Sequence, residues 1–209
     1  MDHPDSWGNL KPAHIYLARE FLQSAEQLGG RTSEQEPISL NKPQLFLLAH
    51  ALELTLKAIS LWLGKSEDEV RRDGHSLKAP FNRAKSSTKS NCLIISTEKT
   101  VNNRWKVQLR ADRESYLTQT YQTHLDETPS NSEISRAIPK LSEVVDWLDA
   151  HHANDGGTFR YYETHLFRLP VVSCFGTHRL VIQQTTLWAC NFMLSELEKQ
   201  LRNSNENAP

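Results

Sequence analysis

The stretch PQLFLLAHALELTLKAISLWL, residues 43–63, decides the fold of this chain. It is apolar on nearly every side, and its polar residues recur at steps of three, four and three: His50, Glu53, Lys57 and Ser60. At about 100° per residue, these steps place the polar side chains in one narrow stripe, here called the polar seam. The pattern predicts a central α-helix that contacts the core on most sides.

Further helical patterns lie on both sides of this stretch. Residues 12–28, 132–152 and 177–201 carry apolar residues at helical spacing, and we expect Pro139 to bend the second of these helices. Short helices are predicted after the capping-box sequence at Ser66 and after the Gly-His pair at 74–75. These patterns predict an all-α fold.

From these patterns we predict a single domain over residues 1–209. We predict a helical bundle of about five or six helices, with an irregular or partly β insertion near residues 90–130. Residues 202–209, which are polar and end in Asn-Ala-Pro, are predicted to be a disordered tail.

Leucines at positions 180, 187, 194 and 201 repeat every seven residues in the last predicted helix. This repeat is typical of a dimerising zipper, but a stripe that packs into the core of one chain has the same spacing. Both interpretations stay open from the sequence.

The composition excludes several classes of protein. Hydrophobic residues make up 38% and charged residues 23%, and the formal net charge is −1, which is typical of an ordinary globular domain. The net charge therefore does not indicate a strongly basic surface of the kind that binds nucleic acid. The apolar stretch has the length of a membrane span, but His50, Glu53 and Lys57 in its middle predict a buried helix and no membrane. The first residues lack the layout of a signal peptide, so we expect a cytoplasmic protein.

Metal and cofactor patterns are weak. The three cysteines form no CxxC pair, and the neighbours His151 and His152 point about 100° apart on a helix. His50 and Glu53, three residues apart, could share an ion, but no HExxH sequence supports them. We therefore predict no metal and no cofactor.

The seam itself allows three interpretations. Glu53 and Lys57 stand four residues apart in the favourable order, acid before base. They could form a solvated surface pair, a buried structural network, or part of a ligand or catalytic site. Because the rest of the helix is apolar, we favour the buried network, with Lys57, His75 or Arg160 within salt-bridge reach of Glu53.

The residues of the seam also resemble those of a known protein family. The run His50-Ala-Leu-Glu53-Leu-Thr-Leu-Lys57-Ala, followed by Gly74-His75-Ser-Leu, resembles the HEPN superfamily of helical bundles. These domains commonly have a Glu-x-x-x-Lys-Ala helix followed by a Gly-His-x-Leu turn. The later Phe159-Arg160-Tyr161 is similar to a segment of several members. The resemblance implies a helical bundle that usually forms a homodimer. Together with the polar seam, these motifs give the predicted binding or structural polar network, which comprises His50, Glu53, Lys57, His75, Arg160 and Tyr161.

Many members of that superfamily are metal-independent endoribonucleases with an Arg-x(4–6)-His motif. The histidine acts as a general acid or base, and the arginine stabilises charge on the phosphorane. This chain contains one such pair, Arg160 and His165. Tyr161, however, stands where a polar residue usually follows the arginine, and we expect the pair to lie in an extended segment rather than on a helix.

The expected function is accordingly that of a non-catalytic or degenerate HEPN-like domain. It would bind RNA, a nucleotide or a partner protein in a bacterial defence or toxin–antitoxin context. One alternative is a metal-independent ribonuclease that uses Arg160 and His165. Another is a structural subunit of a larger complex.

Overall fold

Seven α-helices make up most of the chain that the computed structural model describes, which is residues 9–29, 42–120, 138–152 and 178–206. They are α1 (Pro12–Gly29), α2 (Lys42–Trp62), α3 (Glu67–Arg72), α4 (Lys78–Ser86), α5 (Thr88–Thr120), α6 (Leu141–His152) and α7 (His178–Glu206). No strand occurs in these ranges. The all-α prediction is confirmed.

Helix α2 is the centre of the bundle. It packs against α1, α3, α4, α6 and α7, and most of its side chains are buried. Leu52, Leu56 and Ile59 are fully enclosed. The helix ends at Trp62, and Gly64 follows with φ at +90°, a backbone conformation that favours glycine. The central helix predicted for residues 43–63 is therefore present.

The same helix is the one candidate membrane span among the described residues. The segment Pro43–Trp62 is long and apolar enough to cross a bilayer, and 72% of it is buried inside the protein. Such burial is what a core helix requires. The absence of a membrane partner stays a prediction.

The irregular or partly β insertion predicted near residues 90–130 is wrong up to residue 120, because α5 is a continuous helix from Thr88 to Thr120. The run Leu93-Ile94-Ile95 favours a strand by local propensity. Packing overrides that preference, since Ile94, Val101 and Trp105 recur at helical spacing and are buried. Residues 121–130 lie outside the described ranges.

The last helix continues beyond its predicted end. Residues 202–206 belong to α7, so the disordered tail predicted from 202 is wrong for these residues, while 207–209 lie outside the described ranges. Leu194 is buried, and Leu187 and Leu201 pack against the core of the same chain. These three leucines of the repeat thus belong to the apolar stripe that holds α7 on the bundle, whereas the homodimer stays a prediction.

The start of α3 agrees with its capping signal. At α3 the Ser66 side chain accepts from the Glu69 N–H, and the Glu69 carboxylate accepts from the Ser66 N–H, which is the predicted capping box. Pro139 does not bend a helix, because α6 begins only at Leu141. A proline fits poorly inside a helix but is tolerated just before one.

Helix α4 is capped by a residue of another helix. Its own N-cap residue, Leu77, has no side chain that can accept a hydrogen bond. Asp149 of α6 accepts from the backbone N–H groups of Leu77 and Lys78, at 2.6 and 3.2 Å, and from the Ser76 hydroxyl at 3.2 Å. The carboxylate joins the start of α4 to the end of α6.

We expect Asp149→Ala to lower the free energy of unfolding by about 1–2 kcal/mol, because it removes the cap of α4. Asp149→Asn keeps an acceptor oxygen and is expected to lose less than half as much. Urea unfolding followed by circular dichroism measures both variants. Equal losses for alanine and asparagine would contradict a capping role.

Candidate functional site

The polar seam of α2 leads to a cluster of five side chains, here called the Glu53 cluster: His50, Glu53, Lys57, His75 and His152. Three of them come from α2, His75 comes from the turn between α3 and α4, and His152 is the last residue of α6. Glu53 and His152 are buried at the base of the cluster, each with 2% of its side chain exposed. His75 lies at the rim with 52% exposed.

The Glu53 carboxylate divides its partners between its two oxygens. Oε1 accepts from the Lys57 ammonium at 2.6 Å. Oε2 accepts from His152 Nε2 at 2.7 Å and lies 3.2 Å from His75 Nδ1. Because an ionised carboxylate only accepts hydrogen bonds, the nitrogen of His152 that faces it carries the proton.

His50 approaches the same oxygen without a hydrogen bond. Its Nδ1 lies 3.2 Å from Oε2 of Glu53, but this buried nitrogen has no hydrogen-bond partner among the described residues. The two atoms are still close enough for an ion pair, and the imidazole helps to lower the pKa of the Glu53 carboxyl. Buried polar atoms are usually satisfied, so this nitrogen needs an explanation.

The turn that carries His75 is held in place on both sides. Gly74 has φ at +58°, and its carbonyl accepts from Lys57 Nζ at 2.6 Å. Asp73 accepts two hydrogen bonds from the guanidinium of Arg83, at 2.9 and 3.0 Å, and Arg83 also donates to Ser60 on the seam. These contacts fix the backbone of the turn against α2, so His75 is presented to Glu53.

Helix α6 positions His152 through its apolar face. Leu141, Val144, Val145 and Leu148 are buried, and His152 follows Leu148 by four residues on the same face. His151 points elsewhere, with its ring stacked on Trp147 at 4.3 Å and its Nδ1 2.7 Å from the Trp147 carbonyl. Of the adjacent pair, only His152 belongs to the cluster.

An aromatic wall borders the cluster. The ring of Phe21 meets His50 edge-on at 4.4 Å, and Phe46 lies about equally far from His50 and His152, at 6.1 and 6.0 Å. Apolar surroundings reduce solvent screening and strengthen the interactions of the charges inside.

Burial alone would raise the pKa of the Glu53 carboxyl. Its partners His152, His50 and Lys57 outweigh that effect, so its pKa lies well below the ordinary value. The Glu53 carboxylate is therefore ionised near neutral pH, and the Lys57 ammonium pairs with it.

The sequence predicted part of this arrangement. The predicted burial of Glu53 and its ion pair with Lys57 are present, and His50 and His75 lie beside it. Arg160, Tyr161 and His165 lie outside the described residues, so their predicted roles stay predictions. His152 was missed, although its spacing from Leu148 placed it on the apolar stripe.

A groove also opens between the end of α2, α5 and α7, with a volume of about 290 Å³. The Lys89 ammonium lies 4.7 Å above the Trp62 ring, and burial lowers its pKa. None of the residues predicted for a site lines this groove, whose other lining residues include Cys92, Leu93, Phe192 and Glu196.

No known family model, curated protein or solved structure matches the chain. The resemblance to HEPN domains therefore rests on the residues of the α2 seam, the Gly-His turn and residues 159–161.

Proposed function

We propose that this chain is a non-catalytic HEPN-like helical domain that binds RNA, a nucleotide or a partner protein, with the Glu53 cluster at its binding surface. The observation that carries the proposal is the gradient of exposure in the cluster. Glu53 and His152 are buried, Lys57 and His50 are partly exposed, and His75 is half-exposed. A fixed polar base beneath an accessible imidazole supplies convergent polar groups of the kind that orient a ligand.

The partners of the histidines favour binding over RNA cleavage. In the described part of the chain, the histidines of the cluster lie against the Glu53 carboxylate, whose other oxygen binds Lys57. A HEPN-type ribonuclease needs an arginine to stabilise the charge of the transition state.

The charge of the chain favours one ligand class over another. With a formal net charge of −1, the domain lacks the excess of basic residues that drives association with long nucleic acids. A partner protein is therefore favoured over RNA. The bacterial defence or toxin–antitoxin context follows from the resemblance alone.

We expect the purified protein to leave RNA intact in the presence of EDTA. Wild type is incubated with a mixed-sequence RNA beside Arg160→Ala, His165→Ala and His75→Ala, and fragments are resolved on a denaturing gel. The expected result is no cleavage by any of the four proteins. A native gel of the same samples reports whether intact RNA is bound.

Two outcomes would overturn the proposal. Cleavage that both Arg160→Ala and His165→Ala abolish, with folding retained by circular dichroism, would establish the ribonuclease alternative. Cleavage that only His75→Ala abolishes would instead make the Glu53 cluster catalytic.

A further inference from the structure

We infer that the Glu53 cluster is a binding site for a divalent transition-metal ion, with Zn²⁺ as the best match, held by His50, Glu53, His75 and His152. The inference does not depend on the HEPN-like proposal. It rests on the juxtaposition of three imidazole nitrogens and one carboxylate oxygen, which lie within 4.8 Å of one another. The sequence predicted no metal, because on α2 alone only His50 and Glu53 could share an ion.

The distances from the Glu53 carboxylate to the three imidazole nitrogens are close to those of a tetrahedral zinc site. Zn–N and Zn–O bonds of about 2.0–2.1 Å place neighbouring ligand atoms about 3.3 Å apart. Oε2 of Glu53 already lies 3.2 Å from Nδ1 of both His50 and His75. Its 2.7 Å contact with His152 Nε2 is a hydrogen bond, so the two atoms must move apart by roughly half an ångström to admit an ion. Nε2 must also give up its proton, so that the neutral imidazole carries its proton on Nδ1.

The unsatisfied nitrogen points to the same conclusion. His50 Nδ1 is buried beside a carboxylate oxygen and has no hydrogen-bond partner among the described residues. Buried polar atoms without a partner are rare, and coordination to a metal is one way in which such a nitrogen is satisfied. A metal bound at Oε2 would give this nitrogen a ligand bond.

Lys57 and Gly74 act as outer supports of the site. The Lys57 ammonium binds Oε1 of Glu53 and the Gly74 carbonyl, both at 2.6 Å. Because Lys57 occupies Oε1, the other oxygen of Glu53, Oε2, is the one that faces the histidines. The bond from Lys57 to Gly74 also holds the backbone next to His75. Partners of this kind orient metal ligands in many proteins.

Ligand chemistry selects the class of ion. Three imidazoles favour Zn²⁺ and its neighbours in the first transition row, whereas Mg²⁺ and Ca²⁺ prefer oxygen ligands. Four protein ligands fill a tetrahedral zinc shell, which is the pattern of structural rather than catalytic sites. The ion would connect α2, the turn before α4, and the end of α6.

The test is a titration of the metal-free full chain with Zn²⁺ and Co²⁺, by calorimetry and visible absorption, in a background with Cys92→Ser and Cys174→Ser. Cys190 can stay, because burial raises the pKa of its thiol to about 12 and keeps it protonated. We expect a single ion per chain, an imidazole-rich tetrahedral Co²⁺ spectrum, and a Tm raised by about 5 °C or more at Zn²⁺ well above its Kd. Mg²⁺ should cause no shift.

Adjacent histidines provide the matched control. His75→Ala and His50→Ala are each expected to weaken Zn²⁺ binding by about 100-fold or more, beyond the usual loss for an outer partner. His151→Ala, one residue from His152 but outside the cluster, should bind within about twofold of wild type. Because His75 is half-exposed, its variant should stay folded, and Glu53→Gln provides a second ligand change of similar shape.

Either of two results would overturn the inference. One is no stoichiometric Zn²⁺ binding by the metal-free protein. The other is equal affinity in His75→Ala, Glu53→Gln and His151→Ala, which would assign the ion to a different place on the chain.

Discussion

Glu53→Ala is expected to lower the free energy of unfolding by about 3–5 kcal/mol, the typical loss when one partner of a buried ion pair is removed. Glu53 accepts from His152, which is itself buried, and from Lys57, which is partly buried. Without the carboxylate, these donors lose their acceptor inside the protein and cannot regain full hydration. For a chain of this size, Tm should fall by roughly 10 °C.

The measurement is chemical unfolding in EDTA, so that no metal contributes to the stability. Glu53→Gln keeps the length of the side chain and an acceptor oxygen for His152, and is expected to lose less. Glu196→Ala is the more exposed control, because Glu196 also meets a lysine at 2.6 Å, in an ion pair whose side chains are 29% and 65% exposed. Its loss should stay below about 1 kcal/mol. Similar losses for Glu53→Ala and Glu196→Ala would contradict the prediction that the buried network stabilises the fold.

Trp105→Ala is expected to cost about 3–5 kcal/mol, as for other large aromatic side chains removed from a core. Trp105 is buried between α5 and α7, donates from Nε1 to the Thr185 hydroxyl at 2.9 Å, and meets the Trp188 ring edge-on at 5.1 Å. The alanine variant leaves a cavity and an unmatched hydroxyl. It tests whether α5 is a packed helix of the bundle, where an irregular segment was predicted.

Two further substitutions separate the loss of the hydrogen bond from the loss of the aromatic ring and provide an exposed control. Trp105→Phe keeps an aromatic ring but loses the hydrogen bond, and should cost about 1–2 kcal/mol, including the smaller ring. Val107→Ala changes an exposed side chain on the same helix, 67% accessible, and should stay within about 0.5 kcal/mol of wild type. Thermal and urea unfolding measure both. If Trp105→Ala were as mild as Val107→Ala, α5 would not be packed as described.

Much of the fold was readable from the sequence because its signals are local. The apolar pattern of residues 43–63, the capping box at Ser66 and the glycine at 64 each act within a few residues. The structure contains α2, the start of α3 and a turn at those places. The pairing of Glu53 with Lys57 was equally local, since one turn of helix separates them.

The run at Leu93-Ile94-Ile95 could not be assigned on local grounds. Branched side chains in a polar context suit a short strand as well as a helix. What decides between them is the apolar surface of α4 and α7, against which α5 packs.

The sequence by itself determined that α2 carries a carboxylate and a lysine in a narrow polar stripe, because helical periodicity places them there. Only the tertiary structure decided what faces that stripe. His75 is 22 residues from Glu53 and His152 is 99 residues away, and Asp149 caps a helix that begins 71 residues earlier in the chain. Contacts at such separations depend on which helix faces pack together, and the spacing of residues along one helix carries no information about its neighbours.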